Sequence, residues 1–376
     1  MNNREACIII NLLSGIGNAK FNSMIEALGS PQNIFSASLS DLCNIKGIGK
    51  SLSEQIINWG KNVNLSKELN LSERGGVDLV TILDEKYPEQ LKEIPDPPLC
   101  LYCRGELKCD FNRAIGVVGS RRLTTYGREI ADSLSTQLSY AGWTVISGLA
   151  YGIDAVAHKA VVNAKGHTIA VLGGGLARLH PQSHAELARE IIDNGGCIIS
   201  EFPMEFSPTR QSFPMRNRII SGLSKGILVI EAGTKSGALI TAKFALEHNR
   251  QIFAVPGRIN SPMSQGCNKL IKNGAKLVEN IDDIIDEFEF LPGFTGELSI
   301  DDNNDSGFEN KCTVMLTDCS EEEKLIINCI QNEEKSVDMI SMETELPIWK
   351  LLAKLQQLTF KKIIKELPGK LYILKS

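Results

Sequence analysis

The sequence contains no apolar run long enough to cross a bilayer. Its opening apolar stretch, CIIINLL, runs from Cys7 to Leu13 and is followed by Gly15, whereas a membrane-spanning helix needs about 20 apolar residues. A signal-peptide cleavage pattern is also missing. We therefore expect a soluble protein of the cytoplasm with no membrane partner.

The sequence also lacks an excess of positive charge. Its 40 Lys and Arg residues are outnumbered by 45 Asp and Glu residues, giving a formal net charge of −5 at pH 7. This balance excludes a basic coat over the whole surface but allows one local basic groove, because binding depends on local charge. With 376 residues, the chain is long enough for two or three domains whose cores need no disulfide or metal.

Signatures of metals and dinucleotide cofactors are incomplete. Cys100 and Cys103 form a single Cys-x-x-Cys without the second pair of a zinc site. His180 and His184 are four residues apart, but Pro181 lies between them and no Glu-x-x-His partner accompanies them. The Gly-x-Gly-x-x-Gly fingerprint is missing. We expect no metal and no cofactor. None of the five histidines has an obvious nucleophile as partner, so no catalytic residue is predicted.

Residues 78–288 alternate short apolar strands with amphipathic helices. The strands read as continuous apolar runs, which is typical of parallel strands covered on both faces. This alternation predicts an α/β fold with a doubly wound, mostly parallel, Rossmann-like sheet. The candidate strands are Ala114–Val118, Thr144–Ile146, Thr168–Leu172, Cys197–Ser200, Gly226–Ile230 and Gln251–Val255. The candidate helices are Thr125–Ala141, Ile153–Ala164, Ser183–Asn194 and Ser236–His248.

Two similar glycine turns lie within residues 1–65. They read SGIGNAK at 14–20 and KGIGKSL at 46–52, and each opens a new helix. The pattern resembles paired, SAM-like helix-hairpin-helix motifs, whose helix N-termini can contact a DNA backbone. A packing module or protein contact is the alternative, since such glycines also suit a helix C-cap. Residues 1–65 are therefore predicted to be an N-terminal all-helical domain.

The C-terminal part of the sequence predicts a linker followed by a small domain. Residues 289–318 include an acidic, polar stretch typical of a flexible linker. Residues 319–376 then predict helices at Glu322–Ile330, Val337–Thr344 and Pro347–Thr359 and a hairpin turning at Pro368–Gly369. Three helices and a hairpin describe a winged-helix domain, for which we favour a protein contact or a vestigial role over reading of DNA sequence.

Glycine turns follow several of the predicted strands, and most of them carry polar or cationic side chains. Such turns let a backbone approach a phosphate closely, and the helix that follows offers free amides. Carboxyl ends of parallel strands share one edge of the sheet. The turn residues expected at this edge are Gly119, Ser120 and Arg121 after the first strand, Gly148 after the second, Gly173 after the third, and Thr234, Lys235, Ser236 and Gly237 after the fifth.

The stretch FPMRNRIISG, at 213–222, places Arg216, Asn217 and Arg218 side by side. One interpretation is a solvated helix start with carboxylate neighbours, and the other is a docking point for an anion, since Arg presents a planar fork to phosphate. Several such glycine turns along one edge of the sheet suit a ligand with several phosphates. We therefore predict that they form a binding track, a row of phosphate sites for a nucleic-acid single strand. Glu201 and Glu231 are interpreted as ion-pair partners of the arginines.

These motifs together resemble the DNA-processing protein A family, DprA, also called Smf. The likeness rests on VVGSRRLTTYG, ISGLAYGIDAVAHKAV, SEFP, FPMRNRIISGLS, VIEAGTKSGALITAKFALEHNRQIFAVPG and QGCNKLIKNGA. It implies a non-enzymatic, sequence-independent binder of single-stranded DNA that protects incoming DNA and loads the RecA recombinase during natural transformation. It also implies a homodimer through the α/β domain. By the same motifs, the turn residues and Arg216–Arg218 would line the strand-binding pocket.

The sequence departs from the family pattern after the third strand. Ala177, His180 and His184 stand where the family usually has Asp, Tyr and Asn, and Glu205 replaces the glycine that usually follows SEFP. An alternative class also stays open, because the body more loosely resembles nucleotide hydrolases related to lysine-decarboxylase-like phosphoribohydrolases. The missing carboxylate on the helix after EAGTKSG, before Glu247, argues against that chemistry.

Overall fold

The computed structural model describes residues 1–289 and, beyond them, 325–327, 329, 335–344, 346, 351, 354–355, 358, 364–367 and 371–374. The chain divides into two compact units, Met1–Thr295 and Gly296–Ser376. Among the described residues, no helix is both long and apolar enough to cross a membrane.

The first unit begins with a cluster of helices built on the two predicted glycine turns. Gly15 and Gly47 have positive φ, at 83° and 85°, a conformation that favours glycine. Gly17 and Gly49 then precede the helices that the turns open. The predicted helical part is confirmed, and its helices are α1 Asn3–Leu12, α2 Asn18–Leu28, α3 Pro31–Ile34, α4 Leu39–Cys43, α5 Lys50–Ile57, α6 Trp59–Asn62 and α7 Leu65–Arg74.

A mostly parallel sheet forms the body of the same unit. Its strand order in the described part of the chain is β1-β2-β6-β5-β4-β3-β7-β8-β9, with β1, β2 and β6 joined antiparallel and the others parallel. The strands are β1 Val77–Thr81, β2 Cys100–Gly105, β3 Ala114–Gly119, β4 Thr144–Ser147, β5 Thr168–Val171, β6 Cys197–Ser200, β7 Gly226–Ile230, β8 Gln251–Ala254 and β9 Lys276–Leu277. All six predicted strands are present, whereas β1, β2 and β9 were not predicted.

Helices cover both faces of the sheet, as the continuous apolar strands predicted. Ile115 and Val117 of β3 pack in one core with side chains of the helices that follow β3 and β4. Ala114 and Val118 point into the other core, with the helices that follow β6 and β7. The helices are α8 Glu89–Lys92, α9 Thr125–Tyr140, α10 Ile153–Asn163, α11 Ala185–Asp193, α12 Ser212–Leu223, α13 Ala238–Glu247, α14 Gln265–Lys272 and α15 Asp282–Glu289, with short 3-10 turns at Phe111–Arg113 and Gln182–His184.

The chain leaves β3 in two directions. From β3 it crosses to β4, β5 and β6 on one side, and it later returns to β7, β8 and β9 on the other side. In open α/β sheets the point where the direction reverses leaves a crevice beyond the carboxyl ends of the strands. Here that point lies between β3 and β7.

The second unit contains an antiparallel sheet of order β10-β12-β11 with a helix at Val337–Thr344, which coincides with a predicted helix. The strands are β10 Lys335–Ser336, β11 Ile364–Leu367 and β12 Leu371–Leu374. This helix and the antiparallel pair of β11 and β12 agree with two of the elements predicted for the winged helix. Linker residues 290–318, the turn at Pro368–Gly369 and most of the predicted helix Pro347–Thr359 lie outside the described residues.

Candidate functional site

A cavity of 760 Å³ opens at the point where the sheet reverses direction. It is bounded by the turns after β3 and β7, by the first residues of α12 and by the loop before α14. Nine of the twelve predicted site residues line it. They are Gly119, Ser120, Arg121, Arg216, Asn217, Thr234, Lys235, Ser236 and Gly237.

The cavity is strongly cationic although the chain is acidic. Among the described residues that line it, Asp154 carries a carboxylate, and the five cations are Arg121, Arg122, Arg210, Arg216 and Lys235. Arg216 is buried, and the other four cations are exposed. Such a concentration of charge over one opening favours an anionic ligand. The sequence reasoning missed Arg122 and Arg210, although Arg122 is the next residue in the GSRR turn that it selected.

The turn after β3 is held in shape by its own serine. The Ser120 hydroxyl donates to the Arg122 carbonyl at 2.8 Å and accepts from the Arg122 amide at 3.1 Å. The preceding Gly119 lies so close to the Ile230 carbonyl and to Ile153 that a Cβ would not fit. Gly119 and Ser120 therefore shape the turn that carries Arg121 and Arg122 to the cavity.

In the part of the chain that the structure describes, Glu231 pairs with Thr124 and not with an arginine, which corrects that part of the sequence interpretation. Its carboxylate accepts from the Thr124 amide at 2.9 Å and from the Thr124 hydroxyl. Thr124 in turn caps α9 by accepting from the Gly127 amide at 3.2 Å. Gly127 has no room for a Cβ because the Glu231 carboxylate occupies that space. Glu231 thus ties β7 to the start of α9.

Arg216 extends from α12 into the loops that follow β4 and β5. Its Nη1 donates to the Gly148 carbonyl at 2.6 Å and to the Val171 carbonyl, and its Nε donates to Asn217 Oδ1 at 3.1 Å. Burial lowers the pKa of Arg216 to about 10, while nearby Asp154 opposes the shift. The guanidinium therefore stays charged at neutral pH. Gly148 lies beneath it, where a Cβ would collide with the guanidinium.

Asp154 is buried beside Arg216. It accepts from the amides of Gly148 and Ala150, at 3.1 and 3.4 Å. Burial raises the pKa of this carboxyl group, and Arg216 lowers it. Asp154 therefore organises the loop after β4.

Arg218 is not part of the cavity, which corrects its place in the predicted track. Its two terminal nitrogens donate to the two Glu201 carboxylate oxygens, at 2.7 Å each, and its Nε donates to Asp96 at 3.2 Å. Arg218 is only 7% exposed. The interpretation of Glu201 as an ion-pair partner is confirmed, and Arg218 has no spare donor face for a phosphate.

Phe213 closes one wall of the cavity. Its ring packs so closely on Gly173 that a Cβ there would lie 2.9 Å from the ring. The Arg121 guanidinium lies 5.2 Å from the ring centroid, within range of a cation–π contact. Gly173 therefore supports the wall from below.

The turn after β7 presents backbone donors. The Ser236 amide is satisfied by the Gly233 carbonyl at 3.0 Å, and the Ser236 hydroxyl accepts weakly from Ala238 at 3.3 Å. Within the described part of the chain, the amides of Lys235 and Gly237 have no hydrogen-bond acceptor. Free amides ahead of a helix are suited to hold an anionic oxygen.

The chain matches known family models along most of its described part. Residues 78–289 match the model of DNA recombination-mediator protein A, and residues 10–58 match that of the SAM-like helix-hairpin-helix tandem. Protein Smf of Escherichia coli is 46% identical over 212 residues, which are 56% of this chain and 57% of that protein. The alignment thus spans little more than half the length of this curated relative.

Two solved structures are also similar. DNA processing protein A from Streptococcus pneumoniae has a TM-score of 0.65 at 34% identity, over 77% of this chain and 99% of that chain. DNA processing protein A from Helicobacter pylori, whose structure describes a unique mode of single-stranded DNA binding, has a TM-score of 0.51 at 29% identity. That match covers 57% of this chain and 97% of the Helicobacter chain.

Proposed function

This chain belongs to the DNA recombination-mediator protein A family, and we propose that its cavity between β3 and β7 binds single-stranded DNA through the phosphates. The observation that carries the proposal is the set of four exposed cations and buried Arg216 around one opening of 760 Å³. Phosphate contacts carry no sequence information, so binding is independent of base sequence. The relative from Helicobacter pylori, reported to bind single-stranded DNA, supports this choice of ligand.

The residues divide into two roles. Arg121, Arg122, Arg210 and Lys235 contact phosphates with their exposed side chains, together with the free amides of the turn after β7. The second group shapes the cavity: Gly119, Ser120, Gly148, Gly173, Arg216 and Asn217. Thr234, Ser236 and Gly237 hold the turn that carries Lys235.

Fluorescence anisotropy of a labelled single strand, with a duplex for comparison, tests the proposal. If about four phosphates are contacted, log K falls with log salt with a slope near −3, since each contact contributes about −0.7. Arg121→Ala weakens binding to all base compositions alike and makes the slope less steep by one contact. Arg189→Ala is the control, because Arg189 is exposed on α11 and does not line the cavity. An affinity that does not change with salt concentration would refute the proposal.

We also propose that the protein acts by binding and has no catalytic activity of its own. Glu247, the acidic residue nearest in sequence on the helix after the β7 turn, forms an ion pair with Lys243 at 3.6 Å at the far end of α13. Asp154 and Glu231 are committed to hydrogen bonds with the backbone and with Thr124. Incubation with nucleoside monophosphates tests this point, because release of free base would establish the alternative hydrolase.

Family membership further supports a role in DNA processing during natural transformation. We propose that the protein protects incoming strands, loads RecA onto them and forms a homodimer through the sheet domain. Assembly of RecA on strands coated with single-strand binding protein, with and without this chain, tests the loading step. Sedimentation velocity tests the dimer.

The division of labour along the chain is likewise a proposal. Residues 78–288 carry the strand-binding site, 1–65 the helical domain, 289–318 the linker and 319–376 the winged helix. Removal of residues 319–376 leaves the affinity for single strands unchanged if this division is correct, and anisotropy measures it.

A further inference from the structure

A half-exposed tyrosine stands at the rim of the cavity. Tyr151 is 51% exposed and directly follows Ala150, which lines the cavity. The next residue, Gly152, has a φ of 86°, and a Cβ there would lie 2.7 Å from Arg121 Cα. The loop that carries Tyr151 is therefore packed against the turn that carries the cation Arg121.

The tyrosine ring is held by the loop that follows β5. His184 lies edge-on to it, with ring centroids 5.0 Å apart and an angle of 71°. Ser183 donates to the Tyr151 hydroxyl at 3.1 Å. His184 Nδ1 is in turn 2.9 Å from the Leu149 carbonyl, to which it donates. A ring fixed in this way loses little conformational entropy when a ligand packs on it.

The same loop connects this tyrosine with the wall of the cavity. His180 lies 5.8 Å from Phe213, measured between ring centroids, and Phe213 is the wall over which Arg121 lies. The loop after β5 thus contacts Phe213 through His180 and Tyr151 through His184. His180 and His184 are two of the residues that differ from the family pattern.

An acidic groove lies beyond the tyrosine. It is formed by α9, α10 and the start of α11 and has a volume of 540 Å³. Its charged lining residues are Arg128, Lys159, Glu129, Asp132, Glu186 and Glu190. With four carboxylates and two cations, this groove has a net negative charge and repels a phosphate chain. We therefore do not expect a strand that leaves the cavity to bind beyond His184.

We propose that Tyr151 stacks on a base of the single strand where the strand leaves the cavity, with Ser183 and His184 as positioning residues for the ring. The inference rests on the proposed function, because it extends the same binding site. Stacking on an aromatic ring tolerates every base, so this subsite adds affinity without adding sequence preference.

Tyr151→Ala, measured by anisotropy with a long thymidine strand, tests the inference. We expect a loss of about 5- to 150-fold, which corresponds to the range for one stacked base. Tyr151→Phe retains the ring and binds nearly as wild type. Tyr140→Ala is the matched control, since Tyr140 is 74% exposed and ends α9, at the opposite end of that helix from the cavity.

Two further measurements separate stacking from a phosphate contact. Tyr151→Ala leaves the salt slope at its wild-type value, whereas Arg121→Ala makes it less steep. On a strand with abasic sites throughout, wild type and Tyr151→Ala bind with equal affinity.

Equal affinity of wild type and Tyr151→Ala for the thymidine strand would overturn the inference, as would a salt slope that is less steep for Tyr151→Ala than for wild type. If wild type binds no single strand at all, the proposed function fails first, and this result is visible before any variant is made.

Discussion

The two faces of α12 place an arginine in different surroundings. Arg216 and Arg218 are two positions apart, which turns them by about 200° around a helix. Arg216 donates to carbonyl oxygens of Gly148 and Val171 and lines the cavity. Arg218 instead donates to both oxygens of Glu201 and to Asp96. Both are buried, but only Arg216 adds charge to the cavity. Two cations that are two positions apart on a helix therefore lie on opposite faces and do not form one site.

The strongest test of this comparison removes the paired arginine. Arg218→Ala leaves the Glu201 carboxylate buried without its partner, so the free energy of unfolding falls by about 3–5 kcal/mol. Urea unfolding followed by circular dichroism measures it. The folded variant still binds single strands with an affinity close to that of wild type, since Arg218 does not line the cavity.

The double variant Arg218→Met with Glu201→Leu is the control for that prediction. Replacing a buried ion pair by apolar groups of similar volume is often neutral or stabilising, so the double variant recovers most of the lost stability. A double variant as unstable as Arg218→Ala alone would show that shape, and not the unpaired charge, is what α12 requires.

Gly148→Ala tests the Arg216 face. The added methyl group meets the Arg216 guanidinium, and overpacking of this kind costs about 1–3 kcal/mol. Because the guanidinium has to move, DNA affinity falls together with stability. Gly142→Ala is a control for the loss of a glycine outside the site, since its Cβ would meet nothing within 4 Å but its φ of 75° still strains an alanine. It is expected to lose stability and to keep DNA affinity.

The lowered pKa of His158, which lies near Arg216, makes the stability of the protein depend on pH. Burial, followed by repulsion from Arg216, lowers the pKa of His158 from 6.5 to about 3. The unfolded chain therefore binds a proton below pH 6.5 that the folded chain refuses until about pH 3. Stability falls with decreasing pH by about 1.4 kcal/mol per pH unit across this window, or roughly 2 kcal/mol at pH 5. At neutral pH and above, this contribution is fully present.

His158→Gln removes that dependence. Urea unfolding at several pH values gives a flatter curve between pH 6.5 and 4 for the variant, whatever its stability at pH 7. Parallel curves would mean that folding does not lower the pKa of His158.

Lys235→Ala is expected to have the smallest effect. Lys235 is exposed in the turn after β7, and loss of one exposed phosphate contact reduces the magnitude of the salt slope by about 0.7. Affinity falls several-fold at low salt and stability is unchanged. Lys225 lies at the opposite, amino end of β7 and does not line the cavity. An equal loss of affinity for Lys225→Ala would mean that overall charge and not the cavity governs binding.

Parts of the fold were predictable because local patterns are strong. Cys197–Ser200 and Gly226–Ile230 are buried apolar runs between glycines or polar turns, and the structure has strands at these residues. The strand Cys100–Gly105, which pairs antiparallel with β1 and β6, was not predicted. The helix Ser212–Leu223 was only one of two interpretations of its stretch, because Pro214 and the three polar residues Arg216–Arg218 interrupt its apolar pattern.

The sequence by itself determined that parallel strands end in glycine turns and that cations follow them, because strand burial and turn chemistry are set by neighbouring residues. Only the tertiary structure decided which cations share a cavity. That outcome depends on the helical rotation that separates Arg216 from Arg218, and on the crossing connections that bring Glu201 to Arg218 and Thr124 to Glu231. These partners are distant in sequence, and their choice depends on how elements pack in three dimensions.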